Sequence, residues 1–271
     1  MTLPTLSAPV RTRDFLDRLP LQRQAGKPLR RSPDGGVIGD WFGCELSSVF
    51  QPIVDPARGE TVGHEAFLRI AGRGRLELSP WQLFSANADD DRLVALDRLA
   101  RSVHALNFLA GGDDGLLFLN VHGRLLAAIA EDHGAAFRRV VDALGLPPDR
   151  VVIETPLAAG SQPDLLSFVL RNYRHNGFRV AVNVAAPGCW RRLAPGVPAH
   201  FIKIDAANID LGSGGMASIE PLLDTTGAAQ VVVTRVEAAP ERLPDGVLAQ
   251  GFAFGIPARR ARRVPGSNTV E

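Results

Sequence analysis

Apolar and polar positions fall into two alternating rhythms along this chain. Short β-branched or apolar runs at residues 49–54, 116–121, 151–154, 180–184, 201–205 and 231–236 alternate with longer stretches of helical spacing. After the first run, Leu93, Leu96, Leu99, Ala100, Val103 and Leu106 recur three and four apart, which puts them on one helix face. Ser79-Pro80 predicts a helix start, with the hydroxyl at the cap and the ring in the first turn. Ser161 is a second candidate cap, and Gly177 sits where a helix should stop. Continuous apolar runs separated by helices predict parallel strands covered on their outer face.

Several runs end in a polar or ionisable residue: Leu117-Phe118-Leu119 at Asn120, Val151-Val152-Ile153 at Glu154, Ala181-Val182 at Asn183, and Phe201-Ile202 at Lys203. In a parallel barrel the C-terminal strand ends meet at one mouth, where active sites of such barrels lie. The pattern predicts a ring of polar groups around that opening, although any single member can equally be the start of a polar loop. Lys203 stands out because every other basic residue except Lys27 is arginine. A lysine is a compact cation whose pKa shifts readily on burial, a property arginine lacks.

Composition narrows the classes. A chain of 271 residues, 45% hydrophobic and 22% charged, can bury one large core. The net charge of +1 gives no global case for nucleic acid or an anionic membrane. No apolar stretch approaches the roughly 20 residues that span a bilayer, and Arg11, Asp14 and Arg18 break up the N-terminus. We expect a cytoplasmic chain without membrane insertion, with Cys44 and Cys189 as free thiols. Residues 1–45, rich in Pro, Arg and Gly, read as a basic arm or partly ordered lead-in, and 259–271 as an Arg-rich tail. The six histidines share no metal-ligand spacing. Asp89-Asp90-Asp91 reads as a solvated helix start that complements the dipole. Trp190 reads as core, with a partner contact as the alternative.

The blocks Phe50-Gln51-Pro52-Ile53-Val54 and Gly63-His64-Glu65-Ala66-Phe67-Leu68-Arg69 resemble the opening of an EAL domain, a cyclic-di-GMP phosphodiesterase family. The likeness continues in family order through Leu96-Asp97-Arg98, Leu119-Asn120-Val121, Val152-Ile153-Glu154, Ile202-Lys203-Ile204-Asp205, Val236-Glu237 and Gln250-Gly251-Phe252-Ala253-Phe254-Gly255-Ile256-Pro257. The resemblance implies a TIM-like (β/α)8 barrel over residues 46–258 that cleaves its substrate with two divalent cations. Two hard metals about 3.5–4 Å apart need carboxylate and amide oxygens to hold them. By resemblance, Glu65, Asn120 and Glu154 would be direct metal ligands, Lys203 would orient the attacking water, and Gln250 would lie near the site floor.

This chain departs from the family where the paired aspartates belong, since Asn183 and Val184 stand there. It departs again where a glutamate-glycine pair belongs, since Thr234 and Arg235 stand there. Each lost anion removes a metal bond and charge compensation, so no stably bound magnesium or manganese and no useful hydrolysis are expected. The resemblance leaves nucleotide contacts: Arg69 to phosphate, Gln51 and Asp97 to guanine edges, and Phe252 to Pro257 as apolar ring contacts. Glu65, Phe67, Leu68, Glu237, Gln250 and Gly251 complete the expected set. The leading expectation is an inactive cyclic-di-GMP receptor that regulates a protein partner. The alternatives are a nucleotide-independent interaction protein and a weak phosphodiesterase using Glu65, Asn120 and Glu154.

Overall fold

Only four residues, 56–59, separate the first two long strands, too few for the crossover that parallel pairing requires, so they close a hairpin. The computed structural model describes residues 10–72, 77–86, 89–127, 133–209, 219, 222–225, 227–238 and 243–261. Its elements begin with α1 (Val10–Asp17), β1 (Leu29–Arg31), β2 (Val37–Trp41), β3 (Cys44–Asp55), β4 (Glu60–Ala71), β5 (Glu77–Leu78), α2 (Pro80–Ala86) and α3 (Asp90–Gly111). They continue with β6 (Leu116–Asn120), α4 (Gly123–Ala127), α5 (His133–Leu144), β7 (Val151–Thr155), α6 (Pro163–His175), β8 (Arg179–Val184), α7 (Pro187–Leu193), β9 (Phe201–Asp205), β10 (Gln230–Thr234) and β11 (Leu248–Ala249).

Eight strands close into the ring β3-β4-β6-β7-β8-β9-β10-β11, with β11 returning to β3. From β4 to β11 every pairing is parallel, and helices cover the outer face, as in a TIM-like (β/α)8 barrel. The sequence predicts a parallel strand at 49–54, and the structure reverses it. β3 is buried on both faces and so reads like a parallel strand, but the hairpin turns it antiparallel to both neighbours.

Inside the ring, Ile53, Phe118, Val152, Ala181, Phe201, Val232 and Leu248 form one buried layer, with Phe118 and Phe201 edge to face at 5.1 Å. Side chains alternate along a strand, so residues two positions on also face inward. In the parallel strands these are Asn120, Glu154, Asn183, Lys203, Thr234 and, just past β11, Gln250. The polar ends of the apolar runs therefore form a second inner layer at the C-terminal mouth.

Beyond the ring, the outer halves of β3 and β4 run on as a ribbon, which β2 and β1 extend on one side and β5 on the other. Leu96, Leu99, Ala100 and Val103 of α3 cover one face of it, against Leu46, Leu68 and Ile70. Of residues 10–45, expected as an arm, β1 and β2 belong to this lobe while α1 packs against α3 and α5 with Leu16 in the main core, and residues 1–9 lie outside the described residues. Arg23 and Arg30 pair with Asp40 at 2.6 and 3.2 Å, and Arg30 reaches Glu45 at 2.5 Å. The Asn107 side chain of α3 donates to the Val37 carbonyl and accepts from its N–H at 2.9 and 2.7 Å. Three of the basic residues that suggested a solvated segment, Arg23, Arg30 and Arg31, are thus paired within the fold.

Helix ends follow local chemistry. Ser79 Oγ accepts from the Gln82 N–H while Gln82 Oε1 accepts from the Ser79 N–H, a reciprocal cap. Ser161 does not cap α6: its hydroxyl donates to the Ala158 carbonyl, and the helix starts at Pro163. Asp89 caps α3 through the Asp91 N–H. Trp190 is 2% exposed and donates to the Thr225 carbonyl, a core residue as expected. Arg259 and Arg260 of the expected tail bond to Asp34, and Arg262 and Arg263 lie outside the described residues. No helix among the described residues is long and apolar enough to cross a membrane.

Candidate functional site

At the centre of the mouth Lys203 on β9 is 1% exposed. Its Nζ lies 2.5 Å from Oε2 of Glu65 on β4 and 2.7 Å from Oε2 of Glu154 on β7. Amides complete the cluster. Asn120 Nδ2 donates to Glu65 Oε1 at 2.7 Å and Gln250 Nε2 to Glu65 Oε2 at 2.9 Å. Asn183 Nδ2 donates to Glu154 Oε1 and to the Thr155 carbonyl, both at 2.8 Å. All four carboxylate oxygens therefore accept at least one N–H. Gln51 braces Gln250 at 3.4 Å and donates to the Gly255 carbonyl at 3.0 Å.

The electrostatics follow from burial. Burial alone would raise Glu65, but the Lys203 ammonium and the amide donors outweigh it and hold this carboxyl below its ordinary value. Glu154 goes the other way: burial and the neighbouring Glu65 charge raise it, against the pull of Lys203 and Asn183. Lys203 would be lowered by burial, yet Glu154 and Glu65 hold it above its ordinary value and so protonated. Two carboxylates thus share one ammonium.

A cleft of about 430 Å3 opens over the cluster, lined by Gln51, Glu65, Phe67, Glu154, Asn183 and Lys203 and by Thr234, Arg235, Glu237, Gln250, Gly251 and Phe252. Thr234 Oγ1 donates to the Ile204 carbonyl. Arg235 has a backbone φ of 58° and places Nη1 3.0 Å from Asp205 Oδ2.

The structure thus brings together Gln51, Glu65, Phe67, Asn120, Glu154, Lys203, Glu237, Gln250, Gly251 and Phe252, and places four other expected residues, Leu68, Arg69, Asp97 and Pro257, outside the cleft lining. Leu68 faces the opposite side of β4 and packs beneath α3, as alternation demands. Asp97 is 2% exposed and ion-paired to Arg101 one helical turn on, so it is held inside the fold. Val184 lies on the outer face of its strand, in the core under the helices. Arg69 shares the face of Glu65 but, four residues along β4, is roughly 13 Å away. It lines a second cavity of about 510 Å3 with Ser47, Val49 and Arg259. Pro257 is half-buried outside the cleft lining. Among the described residues no group of three or more His, Cys, Asp or Glu is arranged to hold a metal ion. In the sequence Arg235 is only an added charge; the left-handed backbone it adopts has one signal there, an arginine where the family has glycine.

Solved structures of the same shape exist. The EAL domain of Xanthomonas citri FimX, solved in complex with c-diGMP, is 16% identical at a TM-score of 0.66, over 80% of this chain and 90% of that one. Klebsiella pneumoniae BlrP1, solved at pH 9.0 as a manganese and cy-diGMP complex, is 21% identical at a TM-score of 0.67, over 95% of this chain and 64% of that one. The chain therefore spans less than two thirds of BlrP1. The EAL domain of Mycobacterium smegmatis DcpA is 20% identical at a TM-score of 0.59, over 79% of this chain and 93% of that one. At such identities the likeness is one of fold. No curated protein matches the chain in sequence. Seven of the eight barrel strands, the reversed β3 and the Glu65-Ala66-Phe67-Leu68-Arg69 strand among them, fall within residues 43–239, which match the EAL domain model, and the chain belongs to the EAL domain family.

Proposed function

We propose that the protein is a catalytically inactive EAL domain that binds cyclic di-GMP without metal and acts as a receptor, passing the signal to a protein partner. The observation that carries this reading is that no third carboxylate joins Glu65 and Glu154 in the inner layer of the mouth: Asn183 and Thr234 stand there and present an amide and a hydroxyl. A pair of divalent cations needs several carboxylates to hold it and offset its charge, and among the residues lining the cleft only Glu65, Glu154 and Glu237 carry one. The donor set does not fit a metal pair.

The other positions reinforce the misfit. Asn183 presents N–H groups to Glu154 and to a carbonyl, Val184 is turned to the outer core, and Thr234 is tied to a backbone oxygen. By contrast, Phe67, Glu237 and Phe252 line the cleft beside Gln51 and Gln250, with edges and faces suited to purine rings. That similar folds have been solved with cyclic di-GMP bound supports the same ligand class here.

Calorimetry with cyclic di-GMP tests the reading, with EDTA in one arm and magnesium or manganese in the other. Saturable binding of equal affinity in both arms, with no linear dinucleotide product, is expected. Turnover that disappears on Glu65→Ala would instead make the protein a phosphodiesterase. Absence of saturation at high micromolar ligand would leave the nucleotide-independent interaction protein.

A further inference from the structure

Among the described residues, two that are not glycine take a positive φ, Phe42 at the tip of the β2–β3 turn and Arg235 at the mouth. At 58°, Arg235 occupies the left-handed region that glycine enters freely and long side chains seldom do. Strained backbone at a cleft points to a use for the side chain. That side chain is 75% exposed and extends from the end of β10 along the rim. Asp205, paired with Thr234 across the sheet, orients it through a single 3.0 Å contact.

Charge supplies an independent argument. The cleft lining holds two cations, Lys203 and Arg235. Lys203 is buried and already shared by two carboxylates, so the cluster beneath the cleft carries one excess negative charge when both are ionised. Glu237 at the rim adds to it. An anionic ligand entering without metal needs a counter-charge, and Arg69 lines the other cavity. Arg235 is the cation of the cleft still open to solvent, and its pairing with Asp205 at the surface is weak enough to be shared. A guanidinium presents paired N–H donors that match phosphate oxygens.

We propose that Arg235 is the phosphate-binding residue of the mouth, supplying to a phosphodiester ligand the positive charge that metal ions would otherwise provide. The proposal rests on the reading of the cleft as a metal-independent nucleotide site. It is tested by calorimetry with cyclic di-GMP and by thermal melting of the wild type, Arg235→Gly and Arg235→Lys. Glycine removes both the charge and the backbone strain. We expect binding to weaken about tenfold or more while the melting temperature holds or rises by about 2 °C. Lysine should recover part of the affinity, and the salt dependence of binding should be shallower in the glycine variant. Wild-type binding that glycine leaves unchanged overturns the role of Arg235 and spares the receptor reading. Weaker binding together with a melting temperature lowered by more than about 5 °C also overturns it, because the residue then acts through the fold. A wild type that binds no nucleotide overturns the receptor reading, and the proposal with it.

Discussion

Lys203 is the residue on which the mouth depends, because it is the ammonium that neutralises two buried carboxylates. Removing one partner of a buried ion pair leaves uncompensated charge and costs about 3–5 kcal/mol. Lys203→Met should therefore lower the melting temperature by roughly 6–20 °C for a chain of this size. The same change frees Glu65 and Glu154 for a cation, so millimolar manganese should restore part of the loss in the variant and leave the wild type unmoved. A melting temperature unchanged by the substitution would show that the cluster is not held by this charge. His104 gives a pH effect away from the mouth. It is buried on α3, bonded to Ser48 at 2.8 Å, and burial pushes its imidazole down to about 3. The unfolded chain takes up this proton below about pH 6.5 while the folded one refuses it until about 3. The contribution to stability is whole above pH 6.5 and is lost as pH falls towards 3, by about 1.4 kcal/mol per pH unit. Urea titrations at pH 7, 5.5 and 4 should show a shallower acid decline in His104→Asn than in the wild type, and parallel declines would contradict the assignment.

At the scale of elements, the β1–β2 edge is held by the ion pairs of Arg23 and Arg30, by the buried Val37 and by one amide side chain of α3. Asn107 satisfies both the N–H and the carbonyl of Val37, so Asn107→Ala leaves two backbone groups to find new partners. A loss of about 2 kcal/mol is expected by urea denaturation, and a loss under about 0.5 kcal/mol would mean that water replaces the amide fully. This edge was also the part least legible in the sequence. Six barrel strands announced themselves as apolar runs, four of them closing on a polar residue, because the inner face alternates from an apolar to a polar layer. β2 is five residues long with a glycine at its centre, and β11 is two residues long, so neither offers a run to detect. The direction of β3 was hidden in the same way, since burial of both faces says nothing about orientation, whereas the short 56–59 connection does. Within the site, Glu65, Asn120, Glu154, Lys203 and Gln250 were legible from strand ends and family blocks. That Asp97 lies outside the cleft lining was not legible, because a helix pattern does not say which neighbour a carboxylate meets. That Arg69 lies outside it was not legible either, because motif proximity does not measure distance along a strand.

For the whole molecule, closure of the barrel is the step that assembles the mouth, and its seam is narrow. β11 contributes two residues to β10 and a single pair, Ala249 with Val54, to β3. The chain that follows does the rest. The Gln250 N–H donates to the Val233 carbonyl, the Gln250 carbonyl accepts from Val236, and the Val236 carbonyl accepts from Ala253. Phe50 and Ala258 then exchange hydrogen bonds at 2.7 and 2.9 Å, locking the segment onto β3. So close an approach is open only to glycine at position 251, where a Cβ would stand 2.1 Å from the Val236 carbonyl oxygen. The obstacle is backbone and cannot rotate away. Gly251→Ala should therefore force the seam apart, cost at least about 3 kcal/mol, and displace Gln250 from Glu65. The matched control is Gly188→Ala in α7, where the new methyl meets nothing within 4 Å and the backbone is helical. There a gain of about 0.5–1 kcal/mol is expected. If Gly251→Ala fails to accumulate as folded protein, hydrogen exchange on the wild type tests the same claim. The amides of Phe50, Gln250 and Ala258 should exchange faster than those of β6, β7 and β8, because opening the seam exposes them without unfolding the parallel half. Equal protection around the ring would mean that the barrel opens only as a whole, and that the mouth owes its assembly to global stability rather than to this seam.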